Sequence, residues 1–184
     1  IMSITGLPGQ GPVRVGTAIA DLSSGLYCAI GILIALLERE VSGEGQWVHT
    51  SLLESQVSML DFQAARWLLG GEVPPQAGNN HPTSIPTGVY PSKDGHFNIA
   101  AGGQEMFERL CCAFDADEIG KNPDYATGEL RREHRDALNE EIASYTKTKN
   151  SDEWIDILND GGVPCGPINT VDKVFEDPQV KHLG

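Results

Sequence analysis

Thirteen consecutive residues, GLYCAIGILIALL at 25–37, carry no charge, and one acid, Asp21, stands four residues before them. A stretch that is apolar around its whole circumference is stable only when buried, so 19–41 reads as a helix at the centre of a fold. The uncharged run is too short to span a bilayer. It also lies inside the chain with acids on both sides, unlike a secretory leader. Asp21 admits three readings. The free N–H groups and dipole at a helix entrance favour a negative charge, which is enough for a cap. A solvated loop residue is the second. The third is a nucleophile, since a carboxylate ionised at neutral pH attacks an electrophile that is already activated, such as a thioester. Gly16 and Gly25 on either side leave room for a ligand to approach the backbone.

The formal charge of -13, from 26 acids against 13 bases, argues against a nucleic-acid partner and against an anionic membrane surface. The four cysteines (Cys28, Cys111, Cys112, Cys165) show neither a CxxC pair nor a His/Cys ligand spacing. They suggest no metal, and read as reduced, mostly buried thiols of a cytoplasmic protein. His49, His81, His96, His134 and His182 are scattered without a partner acid or nucleophile, and Ser23 and Ser24 lack the GxSxG elbow. GELRREHRDALNEE, at 128–141, alternates its charges at helical spacing, as a solvated face does. The chain starts at IMSITG with no start signal and enters a patterned region at once, as an internal fragment of a longer protein would.

Punctuation residues divide the rest. A Gly/Pro loop precedes 19–41, and Gly43 or Gly45 ends that helix. QWVHTS at 46–51 reads as a short strand, and 52–69 as one helix with Leu53, Val57, Leu60, Ala64 and Trp67 on one face. Four prolines make 72–86 a linker. Two strands follow around the Lys93–Asp94–Gly95 turn, then helices at 104–114, 128–145 and 152–159, the last capped by Ser151. GVPCGPINT reads as extended, and Thr170 caps a final short helix. The fold class is α/β: residues 1–71 form part of a large layered domain, 87–162 a small α+β domain, and 163–184 a segment returning toward the large one. AAGGQEMF places Gly102, Gly103 and Gln104 at a strand-to-helix turn. Backbone N–H groups there can hold an oxyanion or carboxylate, or the glycines serve the turn geometry alone. No GxGxxG fingerprint is present.

PVRVGTAIADLSSGLYCAIGILIALLEREVSGEGQWVHTSLLESQ closely resembles the family III CoA-transferases, the group that includes formyl-CoA transferase, the carnitine CoA-transferases and α-methylacyl-CoA racemase. Two later blocks agree in order, IPTGVYPSKDGHFNIAAGGQEMFERLC and GVPCGPINTVDKVFEDPQV, so the resemblance covers nearly the whole chain. It implies a Rossmann-like large domain beside a small domain, in an interlocked homodimer. It implies that Asp21 attacks an acyl-CoA thioester, giving an acyl anhydride and then an aspartyl-CoA thioester from which coenzyme A passes to a free carboxylic acid. Coenzyme A is then a substrate, and no metal is called for. Gly102, Gly103 and Gln104 fall on a loop near the family's active site. The long glycine-rich loop of formyl-CoA transferase has no counterpart here, and the pattern is closer to transferases using dicarboxylates such as succinate. Two alternatives stay open: a racemase-type isomerase, which needs a histidine beside Asp21, and an inactive truncated product. The racemase branch carries an acid about where Gln104 stands, and the amide leans away from it.

Overall fold

A computed structural model describes residues 1–184, which divide into two compact units, Ile1–Gly78 and Asn79–Gly184.

The first unit is helical. α1 (Ile19–Ser42) is closed by Gly43, whose φ of 77° lets its N–H reach the Arg39 carbonyl at 2.8 Å. α2 (Leu52–Ser58) starts at Ser51, whose Oγ accepts the Glu54 N–H. α3 (Phe62–Gly70) ends at Gly71. The single helix expected over 52–69 is broken at Asp61, which sits at φ 49° and ψ -132°, a positive-φ turn conformation outside the helical regions. Nor does 46–51 form a strand: a strand needs a ladder partner, and no other strand forms within this unit. α1 meets α2 through a Tyr27–Ser58 hydroxyl contact at 2.8 Å and the segment before it through Ser24–Thr50 at 3.2 Å. The expected burial of α1 is not met within this unit. Ser23 is its one buried residue, and Leu37 and Val41 are 71% and 90% exposed, because only α2 and its flanks cover the helix. At 24 residues α1 is long and apolar enough by length and composition to cross a membrane, a test that the central helix of a domain passes equally.

The second unit closes its own core. β1 (Thr87–Pro91), β2 (His96–Ala100) and β3 (Cys165–Pro167) form an antiparallel sheet in the order β1-β2-β3. Cys165–Pro167, inside the segment expected to return toward the large domain, is its third strand. Residues 79–86 also belong to this unit, through the bridge from Asn80 to Gly88 and the buried Ile85, which precedes a cis proline. β2 shows period-two burial, with Phe97 and Ile99 inward and His96 and Asn98 outward. Against it pack α4 (Gln104–Phe114), α7 (Arg135–Thr146) and α8 (Ser151–Asp160), through Phe107, Leu110, Leu138, Ile142 and Leu158. Each such burial contributes roughly 1.5–3 kcal/mol. Phe114 stacks on Tyr145 and meets Trp154 edge-on at 5.0 Å, and the Trp154 indole N–H donates to the Thr146 carbonyl. α5 (Asp117–Lys121) and α6 (Gly128–Glu133) flank a 3-10 turn at Pro123–Tyr125, and α9 (Val171–Glu176) and α10 (Pro178–Leu183) end the chain. The helix expected over 128–145 is interrupted at His134.

The start of α8 is held from outside the helix. The N-cap position falls on Asn150 rather than Ser151, and the Asp94 carboxylate, in the β1–β2 turn, accepts the Ser151 N–H at 2.8 Å and the Ser92 hydroxyl at 2.8 Å. The Ser151 N–H, then the Ser92 hydroxyl, hold the Asp94 carboxyl below the usual carboxylate range. A depressed carboxyl contributes stability above its unfolded value and loses it as pH falls through the folded one. Asp94→Ala is therefore expected to lower the urea midpoint at neutral pH and to flatten its decline on the acid side. A decline as steep as in the parent protein would assign that pH dependence to other carboxylates.

Candidate active site

Asp21 occupies the third position of α1. The N-cap is Ala18, which makes no side-chain cap bond, so no side chain caps this helix. The Asp21 carboxylate takes part in none of the structure's hydrogen bonds or ion pairs, although the dipole of α1 favours a negative charge there. It is exposed, since only the N-terminal loop and α2 come near it. It lines a cavity of about 260 Å³ whose other walls include Ile1, Met2 and Val15, with Arg14 and Gln56 supplying polar groups. The loop that forms this wall is tied down within the unit: the Gln76 amide donates to the Thr5 and Gly11 carbonyls at 2.5 and 2.7 Å.

Gly102, Gly103 and Gln104 lie in the second unit, between β2 and α4. The two glycines differ in what demands them. A Cβ on Gly102 would stand 1.8 Å from the Ser84 Oγ and 2.9 Å from the Ser84 carbonyl carbon, so the backbones touch there and only glycine fits. A Cβ on Gly103 meets nothing within 4 Å, and its backbone, at φ -75° and ψ 159°, suits any residue. Gly102→Ala is expected to destabilise the protein by about 1–3 kcal/mol, as overpacking does, while Gly103→Ala leaves the urea midpoint unchanged. Equal midpoints for the two variants would remove the packing account of Gly102.

The loop is organised by a residue that the charge-run reading of 128–141 missed. Arg131 is 1% exposed. Its Nε donates to the Ile85 carbonyl at 3.1 Å, and its Nη1 to the Tyr125 carbonyl and to the Gln104 Oε1, both at 2.9 Å. Its Nη2 reaches the Gly102 carbonyl at 3.5 Å, and the guanidinium lies 4.5 Å from the centre of the Phe107 ring. No carboxylate pairs with it. Gln104, exposed, is engaged at both ends of its amide, since its Nε2 also donates to Glu108 at 2.9 Å. The signal was present in the periodicity: seven residues before the core residue Leu138 lies Arg131, on the inward face.

No three His, Cys, Asp or Glu side chains converge as a metal site would require. All four cysteines are free, and only Cys111 is buried, against the expectation of mostly buried thiols; Cys112 is exposed. Burial pushes the Cys111 thiol up to about 11, so it is not a thiolate at neutral pH. His81 accepts the backbone N–H groups of Thr83 and Ser84 at Nδ1, a turn-holding role.

The sequence pattern of CoA-transferase family III matches residues 1–184 from end to end. The chain belongs to that family. A succinate–glutarate CoA-transferase of Agrobacterium fabrum is 36% identical over 183 residues, covering 100% of this chain and 46% of the relative. A succinyl-CoA:mesaconate CoA-transferase of Haloarcula hispanica is 36% identical, covering 98% of this chain and 45% of its own. Among solved structures, a CaiB/BaiF family protein from Brucella suis superposes with a TM-score of 0.80 at 38% identity, over 100% of this chain and 49% of that one. The mixed α/β fold is thus the fold of the family, and the chain spans less than half the length of the curated relatives it matches. Nothing in these likenesses assigns a role to Asp21 or to Gly102, Gly103 and Gln104.

Proposed function

We propose that this chain carries the nucleophile of a CoA-transferase that moves coenzyme A from an acyl-CoA to a short dicarboxylic acid. The observation that carries this is a carboxylate with no structural task, Asp21, lining a cavity in a chain matched throughout by the family pattern. The names of the two relatives supply the substrate class: succinate, glutarate and mesaconate are all short dicarboxylic acids.

The chemistry balances around one carboxylate. An Asp21 oxygen attacks the thioester carbonyl, the C–S bond breaks, and a mixed anhydride and CoA thiolate result. The thiolate attacks the Asp21 carbonyl, releasing the donor acid and leaving an aspartyl-CoA thioester. The acceptor carboxylate attacks that thioester, forming a second anhydride and freeing the thiolate again. The thiolate then takes the acceptor acyl group, and Asp21 returns as a carboxylate. No proton is transferred in any step, and the acyl group stays activated provided water is kept from the anhydride. The Gly102–Gln104 loop contacts substrate in this reading, Gly103 being the glycine that packing leaves unexplained. The natural protein works as an interlocked homodimer in the cytoplasm, without a metal, and α1 is a core helix of the fold rather than a membrane span.

The test is peptide mapping of the full-length protein after acyl-CoA and hydroxylamine are added. A hydroxamate on Asp21 is the expected product. Exchange of CoA with no modification at Asp21 would sink the assignment.

A further inference from the structure

The first unit contains only three basic side chains, Arg14, Arg39 and Arg66. Two are spent on neighbours: Arg39 lies 4.0 Å from Glu40, and Arg66 pairs with Glu72 and donates to Gln63. Arg14 makes no hydrogen bond or ion pair, and it lines the cavity of Asp21. Gln56, half-buried on α2, lines the same cavity, and its side-chain amide is also without a partner. Thus a guanidinium, an amide and a carboxylate, none engaged in holding the fold, converge on one space. The rest of its lining is mostly apolar. A few polar groups converging in an apolar cavity is the pattern of a small-molecule site. The volume, about 260 Å³, is just under the roughly 300 Å³ at which such sites begin, room for a short acid.

A dicarboxylic acid reacting at Asp21 brings a second carboxylate that takes no part in the chemistry. Arg14 and Asp21 are both exposed, and a cation beside the bound acid gives that carboxylate a charged partner there. A guanidinium does so with a planar fork matched to the two carboxylate oxygens, and a neighbouring amide N–H adds a third donor. We propose that Arg14, with Gln56 beside it, determines specificity for the acid by binding the distal carboxylate of a short dicarboxylic acid whose reacting carboxylate faces Asp21. This rests on the transferase reading above and adds the residue that selects diacids over monoacids.

The measurement is kcat/KM of the full-length protein for succinate and for butyrate, which has the same chain length and no distal carboxylate, with acetyl-CoA as donor. In Arg14→Gln the succinate-to-butyrate ratio is expected to fall about 30-fold or more, carried by the KM for succinate. Arg14→Lys should restore part of that ratio, since it returns the charge without the fork. A merely structural residue would lower kcat/KM for both acids together and would not be rescued by charge. An unchanged ratio in Arg14→Gln, with transfer intact in the parent protein, overturns the role of Arg14 alone. A parent protein that transfers CoA to neither acid from acetyl-CoA or succinyl-CoA overturns the transferase reading, and this proposal with it.

Discussion

Asp21→Asn is expected to lower CoA transfer by about 10³-fold or more, while affinity for acyl-CoA changes less than about threefold. The substitution keeps the side chain's size and removes the anionic oxygen that must form the anhydride, so turnover is lost and binding is not. The helix tolerates it. The carboxylate makes no cap bond, and a charge in the first turn contributes only about 0.3–1 kcal/mol through the helix dipole. That separation makes the outcome decisive. If Asp21 serves only the dipole, the variant loses a little stability and keeps its turnover. Stopped-flow release of CoA thiolate, with acyl-CoA affinity from competition, reads both quantities on one preparation.

Arg131→Met should have the largest effect on stability. The thioether fills much of the space of the guanidinium stem but donates nothing, leaving the carbonyls of Ile85 and Tyr125 without their partner. A buried acceptor left unsatisfied costs about 1–3 kcal/mol, and the summed loss is expected to be about 3–5 kcal/mol. Native stability as a whole is only about 5–15 kcal/mol. Arg131→Lys should recover little of the loss, because a single ammonium cannot reach three acceptors held in different directions. Urea unfolding of the full-length variants, followed by hydrogen exchange at β2, measures this. A midpoint within experimental scatter of the parent would mean that water replaces the guanidinium and that the network is not a source of stability.

What the sequence made legible follows from which signals are local. The limits of α1 could be read because the apolar run is long and Gly43 is a local stop. The hairpin could be read because Lys93–Asp94–Gly95 lies between alternating segments. The break at Asp61 could not, since the residue is neither Gly nor Pro and its positive φ comes from how α2 and α3 join. The interruption at His134 has the same character. At the site, Asp21 drew notice because an isolated acid before an apolar run is conspicuous. Arg14 and Gln56 did not, because residues 14, 21 and 56 become neighbours only when α2 folds back on α1. Arg131 was hidden differently: its charge matched the surrounding pattern, and only the inward-facing period set it apart.

The contact between Gly102 and Ser84 also governs how variation at this loop is to be interpreted. The two positions are 18 residues apart in sequence and share one pocket of space, so a side chain added at one requires room to be made at the other. A survey that varies position 102 by itself will find it intolerant and will credit that intolerance to substrate contact. Position 103, tolerant as far as packing goes, is where intolerance carries news of a ligand. The adjacent glycines thus act as an internal control for each other, since packing restricts one and leaves the other free.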